Sequence, residues 1–191
     1  MKVVAVVQAR MGSTRLPNKV MRQIGGIPMI ELLLKRLALA SEVHQIVLAT
    51  STDESNRPLV EHVARLGYSV VRGDETDVLK RYAQAAQMHH ADVVVRITGD
   101  CPLIDPELVD CCVRGFLEAD VDYFSNVDPP SFPDGLDIEV FRVTALLQAE
   151  QETTKAFDRE HVTPYLRTSD RFKTSAMQHE VDLSQLRWTV D

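Results

Sequence analysis

Val3-Val-Ala-Val-Val7, followed at once by Gln8-Ala-Arg-Met-Gly-Ser-Thr-Arg-Leu-Pro-Asn-Lys19, is the stretch that decides the fold. The first part is an unbroken apolar run dominated by β-branched valine. It is too short for a helix with two buried faces and reads as a strand covered on both sides. The second part is polar and carries Gly12 and Pro17, so regular structure stops there.

The same alternation continues outward. Pro28 opens a helix with Ile30, Leu33, Leu34 and Leu37 at the 3.6-residue period. Ile46–Ala49 is a second strand. Asn56 caps a helix running to Leu66, with Pro58 in its first turn. Tyr68–Val71 is a third strand, Asp77–Met88 a helix, and Asp92–Ile97 a fourth strand. Pro106–Leu117 is a helix capped by Asp105. Strands alternating with helices predict a three-layer α/β/α fold with a mostly parallel, Rossmann-like sheet.

Beyond residue 120 the rhythm changes. Val121–Asn126 reads as a strand and residues 128–135 as a loop. Leu136–Phe141 alternates acidic and apolar residues, the pattern of a strand with one exposed face. Val143–Gln151 and Arg159–Arg167 read as helices. Arg187–Asp191 reads as a strand that stops abruptly. The expectation is a single domain over residues 1–191, cut short at its C-terminal end.

With 191 residues, 45% of them hydrophobic, the chain buries a sizeable core. A net charge of -7 without a Lys/Arg run argues against nucleic acid and anionic membrane surfaces as partners. The N-terminal apolar run is too short for a signal peptide, and nothing reaches membrane-spanning length. Cys101, Cys111 and Cys112 form no CxxC, so neither a disulfide framework nor a zinc site is predicted. A cytoplasmic protein fits best.

In an open parallel sheet, ligands bind beyond the C-terminal strand ends. Three polar segments fall there: Gln8–Lys19, Thr50–Asp53 and Thr98–Asp105. The second offers Asp53, near Thr50, as a candidate pocket residue. Arg10, Arg15 and Lys19 lie around Gly12 and Ser13, a phosphate-holding composition. The segment matches neither GxxxxGK[ST] nor GxGxxG, which disfavours a P-loop NTPase or a dinucleotide dehydrogenase. A solvated basic loop is the plainer alternative. Asp100, directly after a buried strand, either binds Mg²⁺ or caps a turn before Pro102. The first and fourth strands bring Asp100 to the cation loop if they are neighbours. Asp137 and Glu139 share one strand face, to bind sugar hydroxyls or simply to meet solvent. Arg96, on an apolar strand, either reaches the site or pairs with an acid such as Asp137. Arg72 and Asp77 flank a loop that would cover the base or sugar. The histidines show no ligand spacing, and His161 reads as a hydrogen-bonded helix residue beside the site.

Together these motifs resemble a known family. Gln-Ala-Arg, Gly-Ser-x-Arg-Leu-Pro-x-Lys and Gly-x-Pro-Met-Ile resemble the opening of the cytidylyltransferases that make CMP-activated sugar acids. The closest likeness is to the spore coat polysaccharide, SpsF-like, branch. It extends through Arg96-Ile-Thr-Gly-Asp-Cys-Pro-Leu-Ile104, Gly135-Leu-Asp-Ile-Glu-Val-Phe141, Arg159-Glu-His-Val-Thr-Pro164 and Arg187-Trp-Thr-Val-Asp191. The Gly-Gly or Gly-x-Gly opening of related nucleotidyltransferases is missing here.

The resemblance implies a nucleotide-diphospho-sugar transferase fold and transfer of CMP from CTP to a sugar or sugar acid. It implies Arg10, Arg15 and Lys19 as triphosphate contacts and Ala9 and Arg10 as nucleotide contacts. Gly12 and Ser13 complete the loop. It implies Mg²⁺ on Asp100 and Asp191, the latter from the first position of an Asp-Thr-Pro-Glu-Asp-Leu motif. Cys101 stands where KDO-type enzymes commonly carry Glu. A homodimer follows by analogy. Two other classes remain: a nucleotide-sugar glycosyltransferase, whose DxD would have to be Asp120-Val-Asp122, and a nucleotide-binding domain without catalysis.

Overall fold

A computed structural model describes residues 1–13 and 15–190. Its centre is a seven-stranded sheet in the order β5-β4-β1-β6-β8-β7-β9. The strands are β1 (Val3–Gln8), β4 (Gln45–Ser51), β5 (Ser69–Gly73), β6 (Val93–Thr98), β7 (Tyr123–Ser125), β8 (Glu139–Arg142) and β9 (Thr174–Ala176). A small hairpin, β2 (Gln23–Ile24) and β3 (Ile27–Pro28), lies outside it. β5, β4, β1 and β6 run parallel, and β8 is antiparallel to both neighbours.

The predicted α/β/α architecture is therefore present, and β1 shows why. Val3, Ala5 and Val7 face one core, while Val4 and Val6 face another. A two-residue period with apolar atoms on both sides requires a cover on both sides. α1 (Met29–Leu37), α2 (Arg57–Arg65) and α4 (Pro106–Ala119) cover the first face with Leu33, Leu59 and Val113. α3 (Val78–Met88), α5 (Val143–Glu152) and α7 (Pro164–Thr168) cover the second with Leu79, Leu146 and Leu166. No helix of the described residues is long and apolar enough to cross a membrane.

Caps set several boundaries. The Asp105 carboxylate accepts from the backbone N–H of Glu107 and Leu108, and Asp77 from that of Lys80. Asn56 departs from its expected role: its side chain makes no cap hydrogen bond to α2. Asp53 caps the preceding 3₁₀ turn instead, accepting from Ser55 N–H.

The region after residue 120 departs further from the sequence reading. The strand expected over 136–141 with an exposed face is Glu139–Arg142, and Glu139, Val140 and Phe141 are all buried. It is an interior strand between β6 and β7, so neither edge nor face meets water freely. The helix expected over 159–167 is divided into α6 (Ala156–His161) and α7. Val162 at φ 72° ends the first and Pro164 starts the second. The stretch 187–190 forms no strand; Arg187 makes one isolated parallel bridge with Asp134.

Candidate active site

The order of the strands reverses beside β1. From β1 the chain steps outward to β4 and β5, then returns to the other side of β1 as β6. That reversal opens a crevice beyond the strand ends, the ligand position of open α/β sheets. Val7 is in register with Ile97 and Gln8 with Thr98, so the loops after β1 and β6 face each other. Gly99 allows them to touch. A Cβ there would lie 2.6 Å from Ala9 Cβ and 2.9 Å from the Gln8 carbonyl oxygen.

A cavity of about 520 Å³ occupies the crevice. Ala9, Arg10, Gly12, Ser13, Arg15 and Lys19 line one side of it, and Asp100 faces them. Lys19 Nζ lies 3.3 Å from Asp100 Oδ2, with both groups mostly shielded. Arg10 reaches Glu75 at 3.3 Å, but both side chains are about half exposed. Such a pair contributes little, so it leaves Arg10 available to a phosphate.

The loop is held from below by Asn56. Its carboxamide oxygen accepts from Met11 N–H at 2.8 Å, and its Nδ2 donates to Ser51 Oγ at 2.7 Å. Ser13 Oγ accepts from Leu16 N–H, and Val20 anchors the end of the loop in the core. Asn56 carries a polar positioning role that its apparent cap position in the sequence concealed.

Several predicted residues fall elsewhere. Asp53 does not line the cavity, because its carboxylate is committed to the turn at Ser55. Hydrogen bonding to Ser55 holds it below the usual carboxylate range. Arg72 donates to the carbonyls of Thr52 and Asp53, and Asp77 pairs with Arg159 at 2.7 Å. These two flank the 74–76 loop, whose Glu75 and Thr76 do line the cavity. Arg81, almost fully buried, donates to the Asp74 carbonyl and also reaches the cavity wall. Asp191 and Thr14 lie outside the described residues.

Opposite the cation loop stands a carboxylate-rich wall. Asp134 and Asp137 both face the cavity. Burial, then the charges of Asp134 and Glu139, push the Asp137 carboxyl up to about 6, against the pull of Arg96. Glu139 is different. It is the cross-strand partner of Arg96 and ion-pairs with it, while Tyr123 Oη donates to its other oxygen at 2.7 Å. Burial opposes its charge, yet Arg96 and the hydrogen bonds hold it below the usual carboxylate range. Arg96 therefore finds its acid in Glu139, not in Asp137. It also reaches Gln8 Oε1 at the cavity floor.

The C-terminal segment closes this wall. Trp188 N–H donates to the Asp134 carbonyl, and Val190 N–H to the Asp100 carbonyl at 3.0 Å. Gly135, at φ +111°, makes the approach possible, since a Cβ there would lie 2.7 Å from the Trp188 carbonyl carbon. Arg187 and Thr189 thereby join the lining.

A second cavity of about 270 Å³ adjoins the first, sharing Arg96, Thr98, Asp137 and His161 with it. Cys101 offers no nucleophile. Burial pushes its thiol up to about 12, so it stays protonated. Asp120 and Asp122 stand before β7, which runs parallel to β6 through the antiparallel β8. They therefore occupy the end of the sheet opposite the cavity, paired with Arg142.

The arrangement can hold a polyanion between the β1 loop and Asp100 and a smaller polar molecule beside Asp137. Known proteins resemble the chain in sequence and fold. The family model described as cytidylyltransferase matches residues 4–188. The spore coat polysaccharide biosynthesis protein SpsF of Bacillus subtilis is 30% identical over 197 residues, covering 96% of this chain and 82% of that protein. A 3-deoxy-manno-octulosonate cytidylyltransferase of Pelobacter propionicus is 36% identical over 118 residues, 62% of this chain and 46% of that protein. The solved structure of a cytidylyltransferase from Leptospira borgpetersenii superposes with a TM-score of 0.95 at 34% identity, covering all of this chain and 82% of that one.

Proposed function

Because this chain belongs to the cytidylyltransferase family, we propose that it moves CMP from CTP onto a hydroxyl of a sugar or sugar acid and releases pyrophosphate. The observation that carries the reading is the meeting of Arg10, Arg15 and Lys19 with Asp100 across one cavity at the sheet's switch point. The choice of cytosine nucleotide and sugar-acid acceptor comes from the relatives.

The acceptor hydroxyl attacks the α-phosphorus in line. The bond from that phosphorus to the β-phosphate oxygen breaks, and pyrophosphate leaves with the negative charge. No covalent enzyme intermediate is needed, in keeping with the protonated Cys101. Arg15 and Lys19 hold the departing pyrophosphate, and Arg10 shifts from Glu75 to the triphosphate. Preorganised cations of this kind act by stabilising developing charge. Ala9, Gly12 and Ser13 bring backbone close to the phosphates. Asp137 accepts a hydrogen bond from the incoming hydroxyl and takes its proton as the new bond to phosphorus forms, while Glu139 keeps Arg96 in place behind it.

The donor set also fits Mg²⁺. Asp100 offers a hard oxygen at the cavity, and Asp134 and Asp137 crowd like charge beside it. Among the described residues no three acidic, histidine or cysteine groups form a ready-made cage. That is the usual magnesium case, in which one or two carboxylates share the ion with substrate phosphates. Asp100 and Asp191 would hold it, and when bound it would neutralise charge on the phosphate oxygens.

The test is pyrophosphate release and nucleotide affinity with each of the four NTPs, Mg²⁺ and a panel of sugars and sugar acids. CTP should exceed the other three in both. Equal binding and turnover with all four would refute the assignment.

A further inference from the structure

Resting on the reading of the larger cavity as the CTP site, we infer that the smaller cavity receives the acceptor and that Arg167 recognises an anionic oxygen group on it, a carboxylate or a phosphate. The position follows from the shared wall. Arg96, Thr98, Asp137 and His161 line both cavities, so an occupant of the second has one end at the boundary of the first. Its volume, about 270 Å³, lies just below the roughly 300–1,000 Å³ of drug-sized ligand sites. One sugar ring fits such a space better than a chain of them.

The lining has the chemistry of a sugar site. Phe157 and Pro164 supply apolar surface, and Thr98, Thr163 and Asp137 supply hydroxyl partners. Phe157 is 62% exposed although it packs against the His161 ring. An aromatic at a pocket rim offers a flat apolar face beside polar groups.

Two arginines line this cavity, and they differ. Arg96 is ion-paired with buried Glu139. Among the described residues, the ion pair of Arg167 is with Asp128, at 3.8 Å, with that carboxylate side chain 62% exposed. This is beyond hydrogen-bond length, and a solvated pair of that kind contributes little. The Nε of Arg167 is buried and, among the described residues, has no hydrogen-bond partner. The side chain as a whole is 32% exposed and lines the cavity, so the terminal nitrogens of its fork are what a ligand oxygen would meet. The guanidinium fork matches carboxylate and phosphate oxygens in pairs, which a neutral hydroxyl does not do. Arg167 thus separates charged from neutral sugars, whereas the loop cations act on the triphosphate.

Ligand-observed NMR can test this with three probes, glucuronate, glucose 6-phosphate and glucose, each with and without CTP. Wild type should bind at least one charged probe well above glucose, and CTP should not displace it. The order of the two charged probes distinguishes a carboxylate from a phosphate. Arg167→Gln should weaken charged probes about ten- to a hundredfold, leaving glucose and CTP affinity unchanged. Arg167→Lys should restore part of the loss. Equal binding of charged and neutral probes by wild type, or wild-type binding by Arg167→Gln, overturns the proposal. So does displacement of the probe by CTP, which would place the anion in the triphosphate site. A protein that discriminates the probes but fails to bind CTP would instead refute the nucleotide reading and leave the anion subsite standing.

Discussion

β1 and β6 deliver their polar groups from the residues that follow them directly, Ala9–Lys19 and Gly99–Asp100. In the other half of the sheet, the cavity wall comes partly from the long connection between β7 and β8, which carries Asp134 and Asp137, and partly from the C-terminal segment. There Asp134, Asp137, Arg187 and Thr189 arrive from segments far apart in the chain, held by Gly135 and by a buried Arg96–Glu139–Tyr123 cluster. The first half is a local device that parallel strands produce wherever a glycine and cations follow them. The second is an assembled wall, stable only when several long-range contacts form together. The cation-loop half, the nucleotide side under the proposed function, should therefore respond to substitution in rate, and the assembled wall in stability.

The largest expected effect falls on the assembled side. Glu139→Ala leaves Arg96 buried without its acid, which should cost about 3–5 kcal/mol. Urea unfolding measures this directly. A loss below about 1 kcal/mol, the level of a surface pair, would mean the wall is not organised around that cluster. Next comes Arg15→Ala on the local side. It should lower kcat about 10²- to 10³-fold, as loss of one oxyanion donor does, with unfolding midpoints near wild type. A stability loss without a rate loss would reverse the comparison.

A third test uses pH. The Asp137 carboxyl ionises near 3.8 when unexposed to its neighbours and near 6 in the folded protein. Between those values the native state binds the extra proton, so stability falls as pH rises. The contribution is fully present below about 3.8 and gone above about 6. Asp137→Asn should remove that decline from unfolding curves taken across this range; an identical slope in both proteins counts against the buried, like-charged environment of Asp137. The smallest effect is expected from Asn56→Ala, which removes the hydrogen bond to Met11 N–H. One such bond is worth about 0.5–1.5 kcal/mol, so KM for CTP should rise about two- to tenfold with kcat nearly unchanged. No change in KM would show that the loop holds its shape without Asn56.

How far the sequence could be read follows the same division. The Val3–Val7 run, the helical period of Ile30, Leu33, Leu34 and Leu37, and the caps at Asp77 and Asp105 are local signals, and each corresponds to an element of the fold. Arg10, Gly12, Ser13, Arg15 and Lys19 were legible together because they are contiguous. Asp53 was not: strand-end position suggested the pocket, but a nearby Ser55 N–H claimed its carboxylate. Asn56 had the right residue type for a cap, and only the neighbouring loop revealed a different partner.

The sequence by itself determined the layered α/β fold and the cation loop, since apolar period and composition act over a few residues. Tertiary structure alone decided that Glu139, not Asp137, neutralises Arg96. Alternation put both acids on one face of a strand, and their difference arose from what packed against each. It also decided that Arg167 meets His161 and Asp137 around a second cavity. Burial and charge pairing depend on segments distant in sequence, and those meet only once the sheet and its helices have closed.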